Sequence, residues 1–262
     1  MSVLEYDDEA TQRLLAVYVT PDVTAQRDEF LHLFDPHPGE RVLDVGVGPG
    51  FLATAIAEVV GESGSVCGVD ISESLLEVAR SLGKAQHGIE FRHGDATRLP
   101  YPDEEFDAVV STQVLEYVPD VDAALAEFHR VVRPGGRVAL LDTDWDSIVW
   151  HSPDRESMSR ILTAWEEHAA DPFLPRTLAR RLGRAGFHVE VQKIIPLLNT
   201  VFDADTYSNR MIDLIMPFVI GRGGITRDDA EAWARELRDC GANGEYFFSL
   251  NRYLFLAEKP KA

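Results

Sequence analysis

The feature that most constrains the fold is a glycine-rich turn that follows a short run of branched apolar residues. Arg41–Val45 predicts a buried strand, residues 46–50 read Gly-Val-Gly-Pro-Gly, and Phe51–Val60 predicts a helix. Glycine tolerates a positive φ and lets a ligand approach the backbone, and the first amides of the next helix face that ligand. The pattern predicts a strand, loop and helix unit with a ligand at the loop, the alternative being a tight turn without a ligand.

Strand and helix patterns alternate after this turn. Strand patterns at 65–70, 89–93, 106–111 and 137–142 alternate with helical patterns at 73–82 and 122–132. Such alternation implies parallel βαβ units in one sheet. Two later strand patterns, at 188–195 and 247–258, complete the sheet. We therefore predict an α/β fold with a doubly wound, mostly parallel, Rossmann-like seven-stranded sheet.

Helical patterns flank this core on both sides. Residues 8–34 show helical spacing with a break at Thr20-Pro21, and further helical patterns occupy 152–168, 174–185 and 203–241. We predict a single domain in five parts: a helical lid at 1–35, a ligand-binding core at 36–145, helices and a sixth strand at 146–202, a helical cap insertion at 203–242 and a terminal strand at 243–262.

Composition and charge narrow the class of partner. The chain has 44 acidic and 25 basic residues, and its formal net charge is −19. Such a surface repels nucleic-acid phosphates and anionic lipids, so we expect neither nucleic acid nor a membrane as partner. The acidic N-terminus is unlike a signal peptide, and Cys67 and Cys240 lie far apart. We therefore expect a cytoplasmic protein without disulfides, and the dispersed histidines give no reason to expect a metal.

Acidic residues stand at the ends of the next two predicted strands. Asp70 ends the second strand, and Asp95 follows the third in Gly94-Asp95-Ala96. Ligands of parallel sheets bind beyond the carboxyl ends of the strands, where a carboxylate can accept hydrogen bonds from ribose hydroxyls or an adenine amino group. Alternatively, Asp70 caps the next helix and Asp95 bonds its own backbone. Three consecutive strand ends together favour a nucleoside site.

At these positions the sequence resembles the class I methyltransferases that use S-adenosylmethionine (SAM), especially the branch of the ubiquinone/menaquinone C-methyltransferases. The matching segments are VLDVG (42–46), VD (69–70), GDA (94–96), FDAVVS (106–111) and VVRPGG (131–136). The resemblance covers about residues 36–145 and implies that this core binds SAM as a methyl donor. Val47 departs from many relatives, which carry Cys or Ala there.

The resemblance assigns the methionine end of SAM to the first and fourth strand ends. It implies that Gly46 and Gly48 approach the methionine part and that Asp44 orients the glycine loop, directly or through water. Thr112 and Gln113, after the fourth strand, are implied to lie near the sulfonium.

The same resemblance assigns the adenosine to the second and third strand ends. Asp70 is implied to hold the ribose, with Ile71 beside the adenine. Asp95 and the Ala96 backbone are implied to bind the adenine amino group. On the lead-in helices, Arg27 is a candidate partner of the SAM carboxylate and Tyr18 a candidate lid residue, the alternative being a surface Arg and a core Tyr.

Methyl transfer needs an aligned nucleophile and a site that excludes water. We expect the cap to supply apolar and aromatic walls, with Trp145, Trp150, Tyr207, Met211 and Phe218 as candidates. An oxygen or nitrogen nucleophile can also need a base, for which Asp144, Glu116 and His151 are the candidate catalytic residues. The alternatives are a solvated loop carboxylate for Asp144, a solvent-facing Glu116 and a capping or packing His151.

The function predicted is methyl transfer from SAM to a small-molecule acceptor. The acidic surface favours an uncharged or cationic acceptor, and we expect a monomer or homodimer. One alternative is an NAD(P)-dependent oxidoreductase on a similar fold, although Gly-x-Gly-x-Gly differs from the Gly-x-Gly-x-x-Gly spacing of dinucleotide sites. A second alternative is a non-catalytic SAM-binding module.

Overall fold

The computed structural model of the chain describes residues 8–84, 86 and 88–261. Two helices come first: α1 spans Asp8–Tyr18 and α2 spans Pro21–Phe34. The break between them falls at Thr20 and Pro21, as the sequence predicts. Pro21 lies in the first turn of α2, where its missing N–H would have no partner within the helix.

Strands and helices then alternate through the core. The elements are β1 (Arg41–Val45), α3 (Phe51–Val60), β2 (Ser65–Asp70), α4 (Glu73–Gly83), β3 (Ile89–His93), β4 (Phe106–Thr112), a 3-10 turn (Leu115–Tyr117), α5 (Val121–Val131) and β5 (Val132–Thr143). The start of β5 differs from the predicted residue 137. The glycines at 135 and 136 exchange backbone hydrogen bonds with Lys259 (both 2.8 Å), so the predicted turn lies inside an irregular strand start.

The remaining elements complete the sheet and its cap. They are a 3-10 turn (Trp145–Ser147), β6 (Val149–Trp150), α6 (Arg155–Trp165), a 3-10 turn (Glu166–His168), α7 (Pro175–Arg184), β7 (His188–Asn199), α8 (Tyr207–Val219), α9 (Arg227–Ala242) and β8 (Phe248–Glu258). The sequence did not predict β6, because two residues carry no periodicity. Among the described helices, none is long and apolar enough to cross a membrane.

The described strands form one eight-stranded sheet. Its order is β3-β2-β1-β4-β5-β8-β6, and β7 pairs with β8. Strands β1 to β5 are mutually parallel, whereas β8 is antiparallel to β5, β6 and β7. This confirms the predicted Rossmann-like sheet, with the short β6 as an additional strand. Strand order reverses between β1 and β4, where such sheets open a crevice for ligands.

Three apolar clusters hold the fold together. One packs α5 and α7 on one face of the sheet, and a second packs α2 and α3 on the other. The third joins α1, α6, α8 and α9 to the start of β8. The helical insertion therefore shares its core with the N-terminal helices and the last strand, and these elements together cover the carboxyl ends of the parallel strands.

Candidate functional site

A cavity of about 750 Å³ lies over the carboxyl ends of the parallel strands. It extends from the loops after β3 and β2, past the glycine loop and the end of β4, to the segment after β5 and helix α8. A smaller cavity, of about 70 Å³, lies beside the glycine loop under α2. The two cavities share the lining residues Tyr18, Gly46, Gly48, Gln113 and Arg252.

The glycine loop is fixed on one side and open on the other. The amides of Gly46 and Val47 donate to the Val69 carbonyl at 2.8 and 3.0 Å, which ties the loop to β2. Gly46 has a φ of 71°, and a Cβ there would lie 2.1 Å from Val114. Gly48 has a φ of 52°, and a Cβ there would meet no atom within 4 Å. The loop thus presents Gly48 to the cavity with room for a ligand.

Asp70 holds the glycine loop in this position. Its Oδ2 accepts the Gly48 amide and its Oδ1 accepts the Ser72 amide, each at 2.8 Å. Burial raises the pKa of Asp70, and these amides oppose the shift. Each carboxylate oxygen has further lone pairs, so the side chain can also accept hydrogen bonds from a ligand. Asp70 thus makes a direct hydrogen bond to the glycine loop, whose orientation the resemblance assigned to Asp44, directly or through water.

Asp44 forms a wall of the smaller cavity. Its side chain is 2% exposed, and Oδ2 has no hydrogen-bond partner. Burial raises the pKa of Asp44 to about 8, and the nearby charge of Asp70 adds to the shift. An unpartnered buried carboxyl is unfavourable, and a cationic ligand group would stabilise its ionised form.

Arg27 and Tyr18 close the same region from the lead-in helices. The Arg27 guanidinium donates to the Tyr18 carbonyl at 3.3 Å and to Thr24 Oγ1 at 3.4 Å, and it lies 5.1 Å from the centre of the Phe51 ring. Burial lowers the pKa of Arg27 below its usual range. Both Arg27 and Tyr18 line the smaller cavity.

Gln113, at the end of β4, lines both cavities. Its backbone has a φ of 58°, which residues other than glycine seldom adopt. The Gln113 amide donates to the Leu141 carbonyl at 2.7 Å, and its Oε1 accepts from Thr143 Oγ1 at 2.6 Å. These contacts fix its side chain beside the glycine loop, and Thr112 lines the smaller cavity next to it.

The other end of the larger cavity carries the predicted adenosine residues. Ile71 is 57% exposed, which leaves an apolar surface available to a ring. Asp95 Oδ1 accepts the amide and the hydroxyl of Thr97, each at 2.8 Å, so the backbone turn considered as an alternative is present. Asp95 and Ala96 nevertheless line the cavity beside Asp70.

The end of the larger cavity beneath the cap has aromatic and apolar walls, and we call it the aromatic chamber. Its residues are Tyr117, Trp145, Trp165, Tyr207, Met211, Leu214 and Arg252. Trp145, Tyr207 and Met211 were expected there. Trp150 instead packs edge-on against Trp233, and Phe218 against Trp165. Trp165 and Arg252 were missed, since neither adjoins a motif in the sequence.

The structure does not bring the three candidate bases to either cavity. Asp144 is bound by Arg176 at 2.7 and 2.9 Å. Glu116 is fully buried, and its carboxylate accepts the Thr143 amide at 2.8 Å and the Trp145 indole N–H at 3.3 Å. His151 is exposed, and its backbone amide donates to the Phe247 carbonyl at 2.9 Å. None of the three lines either cavity, and Asp144 and Glu116 are held by contacts within the fold.

Comparison with known proteins agrees with this arrangement. The family described as "Methyltransferase domain" matches residues 43–140, which include the glycine loop and the ends of β1 to β4. An uncharacterised 37.1 kDa protein in transposon TN4556 of Streptomyces fradiae is 30% identical over 245 residues, which are 91% of this chain and 68% of that protein. The similarity therefore extends through the cap.

Two further comparisons concern named enzymes. The demethylmenaquinone methyltransferase of Lysinibacillus sphaericus is 44% identical over 111 residues, which are 42% of this chain, and the chain spans 47% of that enzyme's length. The solved structure of Haemonchus contortus phosphoethanolamine N-methyltransferase 2 in complex with SAM has a TM-score of 0.64 at 19% identity, covering 99% of this chain and 59% of that one. The structural similarity concerns the fold.

Proposed function

Because this chain belongs to the class I SAM-dependent methyltransferases, we propose that it transfers the methyl group of SAM to a small molecule held in the aromatic chamber. One observation carries the proposal: the cavity over the strand ends joins the predicted nucleoside residues, the open side of the glycine loop and a chamber of aromatic walls. A volume of about 750 Å³ lies within the range of small-molecule sites.

We propose that the adenosine lies over β2 and β3. Asp70 would accept hydrogen bonds from the ribose hydroxyls while it holds Gly48, and the exposed face of Ile71 would cover the adenine. Asp95 would accept from the adenine amino group through the carboxylate oxygen that Thr97 leaves free. Thr97 binds only Oδ1 of Asp95, which supports this assignment.

The methionine part would enter the smaller cavity beneath α2. The buried Asp44 carboxylate would face the ammonium group, and Arg27 would pair with the carboxylate from the opposite side. Gly46, Gly48, Thr112, Gln113 and Tyr18 line this region and would fix the position of the chain that carries the sulfonium. A guanidinium and a carboxyl group that can ionise support binding of a zwitterion in one orientation.

The chemistry requires little from the protein beyond position and exclusion of water. SAM, when bound, supplies a methyl group on a sulfonium that leaves as a neutral thioether. Trp145, Trp165 and Tyr207 would orient the acceptor opposite that methyl and displace competing water. No base is part of the proposal, since the carboxylates of Asp144 and Glu116 are occupied by structural contacts.

Calorimetry separates this function from the oxidoreductase alternative. We expect S-adenosylhomocysteine (SAH) and SAM to bind and NAD not to bind. Asp70→Ala should raise the Kd of SAH about 10- to 100-fold, roughly 1–3 kcal/mol, because it removes ribose contacts and releases Gly48. Asp107→Ala is the matched control, since Asp107 accepts the Arg41 amide at the opposite end of the sheet. NAD binding without SAH binding would refute the proposal.

A transfer assay then separates an enzyme from a non-catalytic SAM-binding module. Methyl-labelled SAM is incubated with a panel of small acceptors, and label in the product is measured. We propose a small-molecule acceptor and no role for nucleic acid. A cytoplasmic location, and a monomer or homodimer, stay predictions from the sequence.

A further inference from the structure

Arg252 is a buried arginine in the wall of the aromatic chamber. It belongs to β8, is 7% exposed and lines both cavities. Its Nη1 donates to Gln26 Oε1, and its guanidinium carbon lies 5.1 Å from the centre of the Tyr207 ring. Its Nε is buried without a hydrogen-bond partner. Within the described part of the chain, no carboxylate lies within ion-pair distance of Arg252.

The neighbouring carboxyl groups accept hydrogen bonds from other donors, and Asp142 Oδ2 has no hydrogen-bond partner. Asp142 Oδ1 accepts the amides of Val114 and Glu116 at 3.2 and 3.3 Å. The Glu116 carboxylate accepts the Thr143 amide and the Trp145 indole. Burial raises the pKa of both carboxyl groups and the charge of Arg252 opposes this shift, and neither carboxyl group lies within ion-pair distance of Arg252. The positive charge of Arg252 is therefore left without a direct counter-charge at the chamber wall.

The other unpartnered polar atom of the chamber is also a donor. Trp165 Nε1 is buried without a hydrogen-bond partner. Among the described residues that line the larger cavity, the acidic ones are Asp70, Asp95 and Asp120, which lie toward the adenosine end or at the start of α5. A sulfonium bound at the glycine loop would add a second positive charge facing the chamber. Two donors and two cationic charges favour an anion between them.

We propose that Arg252 binds an anionic oxygen of the methyl acceptor, a carboxylate or phenolate on a planar aromatic molecule. The guanidinium has a fork of N–H donors that matches such oxygens, and the walls of Trp145, Trp165 and Tyr207 suit an aromatic ring. This inference rests on the proposed function. It replaces the uncharged or cationic acceptor that the surface charge favours, because the local charge of the chamber is opposite to that of the surface.

The test compares an anionic probe with a neutral probe of the same shape and adds a second, phenolate anion. With the full chain saturated with SAH, calorimetry measures binding of 2-naphthoate, of its neutral counterpart 2-naphthamide, and of 4-nitrophenol as its phenolate. We expect the favoured anion to bind at least about tenfold tighter than 2-naphthamide. The two anionic probes decide between carboxylate and phenolate. Equal binding of naphthoate and naphthamide, with no binding of the phenolate, would overturn the inference.

Variants assign the preference to Arg252. With each variant saturated with SAH, Arg252→Met should abolish the preference for the anionic probe, while Arg252→Lys should keep part of it because the charge remains. Arg222→Met is the matched control, since Arg222 stacks on Phe218 outside both cavities. If Arg252→Met still binds the anionic probe more tightly than the neutral one, the inference is overturned. It is also overturned if Arg252→Met weakens only the binding of SAH, because Arg252 would then bind the SAM carboxylate.

Two further results, a variant that does not fold and a chain that does not bind SAH, are interpreted separately. If Arg252→Met does not fold, the wild-type preference and the Arg252→Lys variant decide the question. If the wild-type chain binds no SAH at all, the proposed function fails first, whatever the probes do.

Discussion

Asp44 shows how one buried carboxyl can couple ligand binding to a proton. Its Oδ2 has no hydrogen-bond partner, and burial together with the charge of Asp70 raises the pKa of Asp44 to about 8. At neutral pH the free protein therefore holds Asp44 mainly in the protonated form. A ligand ammonium group in the smaller cavity would favour the ionised form, so binding requires the loss of this proton.

We predict that SAH binding releases protons near neutral pH. The affinity should rise as the pH increases from about 6 toward 8, because less free energy is needed to ionise Asp44, and by at most about tenfold per pH unit. Above this range the ligand's own amino group loses its charge and the gain ends. Calorimetry in buffers of different ionisation enthalpy measures the protons released.

Asp44→Asn provides the comparison. It keeps the size of the side chain and removes the titration, so its weaker binding should depend less on pH. The proposed contact with the ammonium group would be contradicted if the wild-type protein released no protons on binding SAH, or if Asp44→Asn released as many as the wild-type protein.

At the scale of elements, the loop between β1 and α3 uses its glycines for different purposes. Gly46 has no space for a side chain, because Val114 occupies the position of a Cβ. Gly48 has space for a Cβ, and a glycine is needed there for the positive φ and the open approach to the cavity. Substitutions at the two positions should therefore separate stability from binding.

We predict that Gly46→Ala lowers the free energy of unfolding more than Gly48→Ala does. Gly48→Ala should cost about 1–2 kcal/mol, the usual price of a left-handed backbone for a residue with a Cβ, and should raise the Kd of SAH. Gly46→Ala adds the clash with Val114 to that cost. Urea unfolding and SAH calorimetry of each variant measure the two effects.

A double variant checks the cause. Gly46→Ala combined with Val114→Ala should recover part of the stability lost in Gly46→Ala alone, because the overlapping methyl groups are gone. An additive loss would show that the clash is not the reason for the glycine.

On the scale of the whole molecule, buried carboxyl groups set the pH dependence of stability. Asp142 Oδ2 is buried without a partner, and burial raises the pKa of Asp142 and of Glu116 beside it. A carboxyl group whose pKa is raised in the folded state contributes its full stabilisation below its ordinary pKa. That stabilisation is lost as the pH rises through the pKa of the folded state. Asp44 acts in the same direction, with a pKa of about 8.

We predict that the ligand-free protein loses stability between about pH 6.5 and 8, and that Asp142→Asn loses less. The asparagine keeps the acceptor for Val114 and Glu116 and removes one titrating group, so the loss of unfolding free energy between the two pH values should shrink by about 1 kcal/mol. Urea unfolding at both pH values measures it. His168, whose pKa burial lowers to about 4, affects stability mainly below this range.

Asp205→Asn is the control for this prediction. Asp205 is an exposed residue paired with Arg210, so its loss should leave the pH dependence unchanged. A wild-type protein whose stability is flat or rises between the two pH values would contradict the role assigned to the buried carboxyl groups.

The sequence by itself determined the order of strands and helices in the core and the side chains at the strand ends. Branched apolar runs, the cap at Ser72 and the stop at Gly61 are local signals, since strand and helix formation depend on neighbouring residues. Because parallel strands place their carboxyl ends at one edge, Asp44, Asp70 and Asp95 could be assigned to one site without knowing the fold in detail. Their proposed roles toward SAM stay predictions.

Only the tertiary structure decided what meets the glycine loop from the rest of the chain. Arg252 pairs in register with Thr143 because β8 lies antiparallel beside β5, and Trp165 reaches the chamber from the end of α6. Asp144, close to strand 5 in the sequence, is turned to Arg176 instead. Such contacts join residues far apart in the chain, and no local pattern specifies them. The loop could therefore be predicted as the methionine end of the site, whereas the charge facing the acceptor could be inferred only from the packed cap.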